Sequence, residues 1–193
     1  MEFTLVYRGQ LAAERVGQRD EKQRLRRIFH QQFAVLWKEP PLDALQQLWN
    51  KELQHYQPAD DITSTVGGFI YAPLCNEKYG TVADLEIDML RPERPGSFRK
   101  SAGDIDNRLK VLLDSLRMPR YKGELPDMDV PGKDESPFFC LLEDDALIHD
   151  ISVRSHRWLE RNADPGEVLL IMRIRILLTR DNFFGSNFGS WMV

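Results

Sequence analysis

The chain has 193 residues, 42% of them hydrophobic and 29% charged, the balance of a folded domain that buries its own core without disulfide or metal staples. Its 26 Lys and Arg against 30 Asp and Glu leave a net charge of -4, which excludes a histone-like binder held to nucleic acid by bulk positive charge but not a local basic groove. Two cysteines, Cys75 and Cys140, give neither a disulfide framework nor a metal-ligand spacing and suit a reducing compartment, so a cytoplasmic location is expected.

The first residues lack the apolar run of a signal peptide. Residues 2–7 alternate, with Phe3, Leu5 and Tyr7 on one side, and predict a half-buried strand. Residues 18–38 carry neither Gly nor Pro, and Leu25, Ile28, Phe29, Phe33, Leu36 and Trp37 recur at steps of three and four, as on one face of a helix. Pro40 and Pro41 stop that helix, and Leu42, Leu45, Leu48, Trp49, Leu53 and Tyr56 predict a second one, the pair forming a helical hairpin over residues 18–56.

From Asp60 the sequence turns β-branched. Strands are expected at about 66–74 and 81–90, as a two-stranded antiparallel unit, the second with Val82, Leu85, Ile87 and Met89 as apolar surface. Gly67-Gly68 reads as a turn or bulge. Residues 91–96 form a Pro/Gly loop, 104–117 the clearest helix, and 118–140 an irregular acidic insertion. Strands follow at about 149–155 and 167–178, with a turn at 162–166 between them. The longest apolar runs fall far below the ~20 residues that span a bilayer, so no membrane partner is expected. The order predicts a single α+β domain over residues 1–180 with a mixed, mainly antiparallel sheet packed by helices. Residues 181–193 make a Gly/aromatic tail whose Phe183, Phe184, Phe188 and Trp191 fit docking on the fold or on a dimer partner better than stacking on bases.

The helix at 104–117 carries the chemistry. At 100° per residue, Ile105, Leu109, Leu112, Leu113 and Leu116 share a packing arc, and Asp106, Asn107, Lys110, Asp114 and Arg117 a neighbouring one. Asp104 stands at the N-cap position and Asp106 in the first turn. Taken alone, these acids also suit a capped surface helix with Asp106–Lys110 and Lys110–Asp114 pairs. A second acidic run, Glu143-Asp144-Asp145, precedes a predicted strand. Were the two groups to converge they would repel unless a cation neutralised them, and oxygen donors without nearby Cys or His favour Mg²⁺ or Mn²⁺. His149 and His156 read as ordinary strand histidines.

The run Asp104-Ile105-Asp106-Asn107, then Lys110, then Asp114-Ser115-Leu116, followed by Asp144-Asp145-Ala146, resembles the signature of the RusA family of Holliday junction resolvases, over roughly residues 81–180. The resemblance implies a RusA-like fold and a homodimeric, Mg²⁺-dependent endonuclease that resolves branched DNA such as four-way junctions in recombination and repair. It implies that Asp104, Asp106 and Asp145 bind the metal, with Asp144 either a further ligand or a neighbour of Asp145, that Lys110 is the essential basic residue, and that Asn107 and Asp114 support them. A Lys beside the scissile phosphate stabilises charge that develops in the transition state.

Charge along the chain agrees with a local DNA groove. Residues 91–122 hold nine bases against four acids, and residues 123–150 hold Lys133 against nine acids. Arg94, Arg99, Lys100 and Arg108 are the expected DNA contacts. The chain departs from the family pattern in Gly103, where a basic residue precedes the first Asp, in the long hairpin, and in the acidic insertion, which could serve a protein partner. A non-catalytic DNA-binding or protein-interaction subunit on the same fold is the alternative function.

Overall fold

In a computed structural model that describes residues 1–11, 18–50, 61–93, 105–160, 162–164 and 166–179, the elements in chain order are β1 (Glu2–Gln10), α1 (Gln18–Leu36), β2 (Ser64–Val66), β3 (Phe69–Cys75), β4 (Thr81–Arg91), α2 (Ile105–Leu116), β5 (Phe138–Leu142), β6 (Ile148–Arg157) and β7 (Glu167–Leu178), with 3₁₀ turns at Leu42–Leu48, Lys122–Glu124 and Asp145–Leu147. They form an α+β domain with two mixed sheets. The larger runs β1-β7-β4-β6, antiparallel except for the parallel β4–β6 pair, and the smaller runs β2-β3-β5, with β3–β5 parallel.

Strict alternation builds the larger sheet. Leu5 and Tyr7 of β1, Ala83, Leu85, Ile87 and Met89 of β4, and Val168, Leu170, Met172, Ile174 and Ile176 of β7 are buried on one face, because successive side chains of a strand point to opposite sides. Helix α1 covers this face with Leu25, Phe29 and Phe33, whose rings meet Tyr7 and Phe3 edge-on. Its other flank packs on β5, where Trp37 stacks on Phe139 and His30 on Phe138 and Phe139. The His30 ring accepts from the Phe139 N–H at Nδ1, 2.9 Å, and so donates from Nε2 to the Asp134 carbonyl, 3.0 Å.

Several expectations shift. Strands β3 and β4 are not a hairpin. Strand β3, FIYAPLC, is apolar almost throughout and buried on both faces, so it takes an interior place between β2 and β5, whereas alternating β4 suits a half-exposed sheet. Its hairpin partner is β2, with Gly67 and Gly68 at φ +61 and +90 as the turn. The second helix of the predicted hairpin is, in its described part, a 3₁₀ turn. Leu42, Leu45 and Leu48 repeat every three residues, and a three-residue period lines them up on the core side. Leu53 and Tyr56 lie outside the described residues. The closing strands β6 and β7 do not pair, since β4 lies between them.

The insertion is anchored rather than free. Leu125 closes a small second core with Phe69, Tyr71, Phe138 and Cys140, and a Cβ on Gly67 would stand 2.5 Å from it. Its acids meet the basic side of α1: Asp127 with Arg19, and Asp129 and Glu135 with Arg27. Asp114 of α2 joins the same assembly, 2.6 Å from Lys22 Nζ and 3.2 Å from Arg117, which also pairs with Glu124 at 2.9 Å. The buried Arg26 guanidinium donates to the carbonyls of Asp114 and Arg117.

Burial pushes the Asp114 carboxyl up, but Lys22 and Arg117 outweigh it and hold it below its ordinary value of 3.8. A depressed carboxylate adds stability that is present above the unfolded value and is lost as pH falls through the folded one. Asp114→Asn is therefore expected to lose roughly 3 kcal/mol at pH 7, since it strands buried cations. In urea unfolding the gap from the parent should shrink as pH drops below 3.8; a gap constant with pH would contradict the assignment.

Candidate functional site

The predicted site residues divide into three places. Asp106, Asn107 and Lys110 lie on the exposed side of the first turns of α2, with no hydrogen bond or ion pair among the described residues. Asp104, Arg94, Arg99 and Lys100 lie outside the described residues. Asp114 belongs to the buried network above, two turns away from Asp106, so it does not support that carboxylate. Arg108 also differs from expectation. It is 1% exposed and faces inward, with Nη2 3.8 Å from Glu93, while its Nε and Nη1 have no partner among the described residues. The buried face of α2 runs through Arg108, Val111, Leu112 and Ser115 rather than Ile105, which is 39% exposed. Helix α2 is rotated this way because it packs against α1 as well as the sheet, and its Asp114 meets Lys22 of α1.

Asp144 and Asp145 form the third place. Asp144 caps the 3₁₀ turn by accepting from the Ala146 N–H, and Arg120 grips both acids, with Nε 2.8 Å from Asp144 and Nη2 2.7 Å from Asp145. Hydrogen bonding to Arg120 holds the Asp144 carboxyl well below the usual carboxylate range. Asp145 is not brought to Asp106. The residue after α2, Arg117, bridges in parallel to Leu142, and Met118 N–H donates to Leu142 O. The acids thus follow the C-terminal end of α2, and Asp106 lies about 15 Å of helix away from that end.

Among the described residues no group of three or more His, Cys, Asp or Glu is placed to hold a metal ion. The donor chemistry at the start of α2 is nonetheless of the hard-cation kind: an exposed carboxylate and an amide oxygen, with Asp104 two residues earlier in sequence. The third carboxylate of the expected set is not supplied by Asp145 in this chain.

The outer face of the larger sheet presents many more charges, and it is internally matched. Asp84 meets Arg175 at 2.6 Å and His149 at 2.8 Å; Glu86 pairs with Arg154 and Arg173; Asp88 meets Arg154, Arg173 and His156. Arg175 first, and His149 after it, hold the Asp84 carboxyl below its ordinary value. The pattern was readable as Asp-x-Glu-x-Asp in β4 facing Arg-x-Arg in β7, both at period two. This lattice ties Asp84, Glu86 and Asp88 to Arg154, Arg173 and Arg175.

Against that background two arginines stand out. Among the described residues only Arg91 and Arg157 lack a carboxylate partner; Arg91 Nε donates to Ser155 Oγ at 3.2 Å. They face each other in the β4–β6 register at the strand ends. Arg91 is one of the nine bases of residues 91–122 and Arg157 lies outside that stretch, and nothing short of the parallel pairing marks the two as neighbours. Residues 94–104 leave from this same end, where Glu93 contacts Arg108 near the start of α2.

No family model matches the chain, and no curated protein matches its sequence. No helix among the described residues is long and apolar enough to cross a membrane.

Arg120→Ala is expected to move the Asp144 carboxyl upward toward its ordinary value of 3.8, followed by carboxyl-carbon NMR titration. An unmoved Asp144 would show that Arg120 does not hold it.

Proposed function

We propose that the protein is a divalent-cation-dependent endonuclease that cuts branched DNA such as four-way junctions, working as a cytoplasmic homodimer on a RusA-like fold. One observation carries this reading. Arg91 and Arg157, without carboxylate partners among the described residues, sit at the end of the sheet from which residues 94–104 lead into α2, and the first turns of α2 expose Asp106, Asn107 and Lys110. Cations for phosphates and an acid, amide and ammonium for chemistry thus share one end of the molecule. The sequence of the intervening segment adds Arg94, Arg99, Lys100 and Asp104.

Each residue has a role that its chemistry suits. Asp104 and Asp106 would hold Mg²⁺ or Mn²⁺, which when bound offsets the charge of the phosphodiester and makes water a better nucleophile. Asn107 orients a neighbouring carboxylate or water. Lys110, one turn on from Asp106, supplies a point charge for the oxygen that becomes anionic as the ester bond breaks. Arg91 and Arg157 hold flanking phosphates without reading bases. The exposed ten-residue edge strand β6 leaves the sheet open to a second copy.

A second reading, a non-catalytic DNA-binding or interaction subunit, draws on the Arg120 grip on Asp144 and Asp145. Cleavage separates the two. With Mg²⁺ and a four-way junction, Asp106→Asn is expected to cut at least about a hundredfold more slowly, the scale of a lost transition-state contact, while binding is retained. Unchanged cleavage by the folded variant would sink the nuclease reading, and no cleavage of junction, flap or duplex by the parent with Mg²⁺ or Mn²⁺ would favour the second. Replacing Arg91 and Arg157 together by Gln should weaken binding evenly across sequences and lower the salt slope by about two. A slope identical to the parent's would remove both from the interface.

A further inference from the structure

The larger sheet ends in β1 on one side and in β6 on the other, and the two edges differ. On β1 a side-chain amide of α1 stands in for one residue of a further strand: Val6 N–H donates to Gln32 Oε1 at 3.0 Å, and its carbonyl accepts from Gln32 Nε2 at 2.8 Å. Strand β6 carries no such plug among the described residues. Trp158 N–H donates to the Arg91 carbonyl at 2.6 Å, which fixes the phase of the parallel β4–β6 ladder. Even residues from 150 onward turn their main-chain groups to β4, and Ile151, Val153 and Ser155 turn theirs out into solvent.

We propose that β6 pairs antiparallel with β6 of a second copy about a dyad through Ser152, joining two four-stranded sheets into one. The inference rests on the homodimer of the proposed function, not on its chemistry. Self-complementarity selects this register. On the outer face, Asp150 and Ser152 lie beside Asp84 and Glu86, and Asp150 has no ion pair among the described residues. Arg154 already meets Glu86 and Asp88, yet its side chain is 49% exposed. With Ser152 on the dyad, Asp150 of each copy stands opposite Arg154 of the other, and the unpaired carboxylate gains a guanidinium.

The opposite face matches as well. Ile151 is 40% exposed and Val153 packs on the rim of the core; in the same register each faces the other across the dyad. These two are the outward-turned residues, so they exchange both main-chain bonds with their counterparts. Sliding the register by two residues loses this agreement. Centred on Val153, Arg154 faces Ser152 and Ile151 faces Ser155; centred on Ile151, Asp150 faces Ser152 and Arg154 faces Ile148. The dyad also sets the two Arg91–Arg157 ends in opposite directions, with the Arg157 positions roughly 33 Å apart along the strands.

The test uses the full chain. Sedimentation equilibrium should show a dimer. Asp150→Lys, which faces Arg154 of the second copy, and Ile151→Pro, which removes an outward N–H without touching the bonds to β4, are each expected to raise its dissociation constant at least about tenfold, one lost ion pair or hydrogen-bonded contact being of that order. Hydrogen exchange of β4 and β7 amides should stay as in the parent, showing that the fold is kept. Because Cys75 and Cys140 are buried, Ser152→Cys under gentle oxidation should yield a disulfide-linked dimer, and Ser155→Cys should not. A dimer indifferent to both substitutions, or one linked through Ser155→Cys in preference to Ser152→Cys, would overturn this interface and leave the homodimer standing. A monomeric parent would overturn both.

Discussion

Asp114 is the point at which three separate stretches of chain are tied. Its carboxylate takes Lys22 from α1 and Arg117 from the end of α2, and Arg117 passes the connection to Glu124 of the insertion. Beneath them Arg26, buried, spends its donors on the main-chain carbonyls that α2 leaves unsatisfied at its C-terminus. Such an assembly stabilises little by charge alone once desolvation is counted, but each member is costly to remove singly. Its worth lies in position. It sets the roll of α2 about its own axis, and that roll decides which residues of the acidic helix face water: Asp106, Asn107 and Lys110 outward, Arg108 and Asp114 inward.

The same network accounts for what the sequence does and does not reveal. Strands with strict alternation were legible, β7 to its last residue, because a half-exposed sheet imposes period two. The interior strand β3 was placed in the right stretch but with the wrong neighbour, since a continuous apolar run states burial without stating against what. The helical arcs of α2, read from spacing alone, put its charges on the outward side. Arg108 and Asp114 break that rule through partners, Glu93 and Lys22, that lie 15 and 92 positions away in sequence, and no periodicity encodes such a pairing. The acidic insertion misled in the same way: its surplus charge is the complement of the basic early part of α1, not a free surface.

For the candidate site the motif residues were legible by type and their separation was not. Asp106 and Lys110 share a face because they are four apart in one helix. Asp145 reads as their companion only if the chain returns to the start of α2, and β5 instead runs parallel to the chain leaving its end. Arg91 and Arg157 entered the site through register, which becomes visible only when two strands lie side by side. Among the described residues, most arginines answer a carboxylate, and the two left over, Arg91 and Arg157, lie side by side at one end of β4 and β6.

The Gln32 amide on Val6 has a further consequence for the molecule at high concentration. An open strand edge is a template on which identical chains can stack into ribbons. A single glutamine, rooted in a helix and therefore unable to propagate the ladder, interrupts the outward groups of β1 at mid-strand. It shortens the stretch of the β1 edge on either side that another strand could pair with.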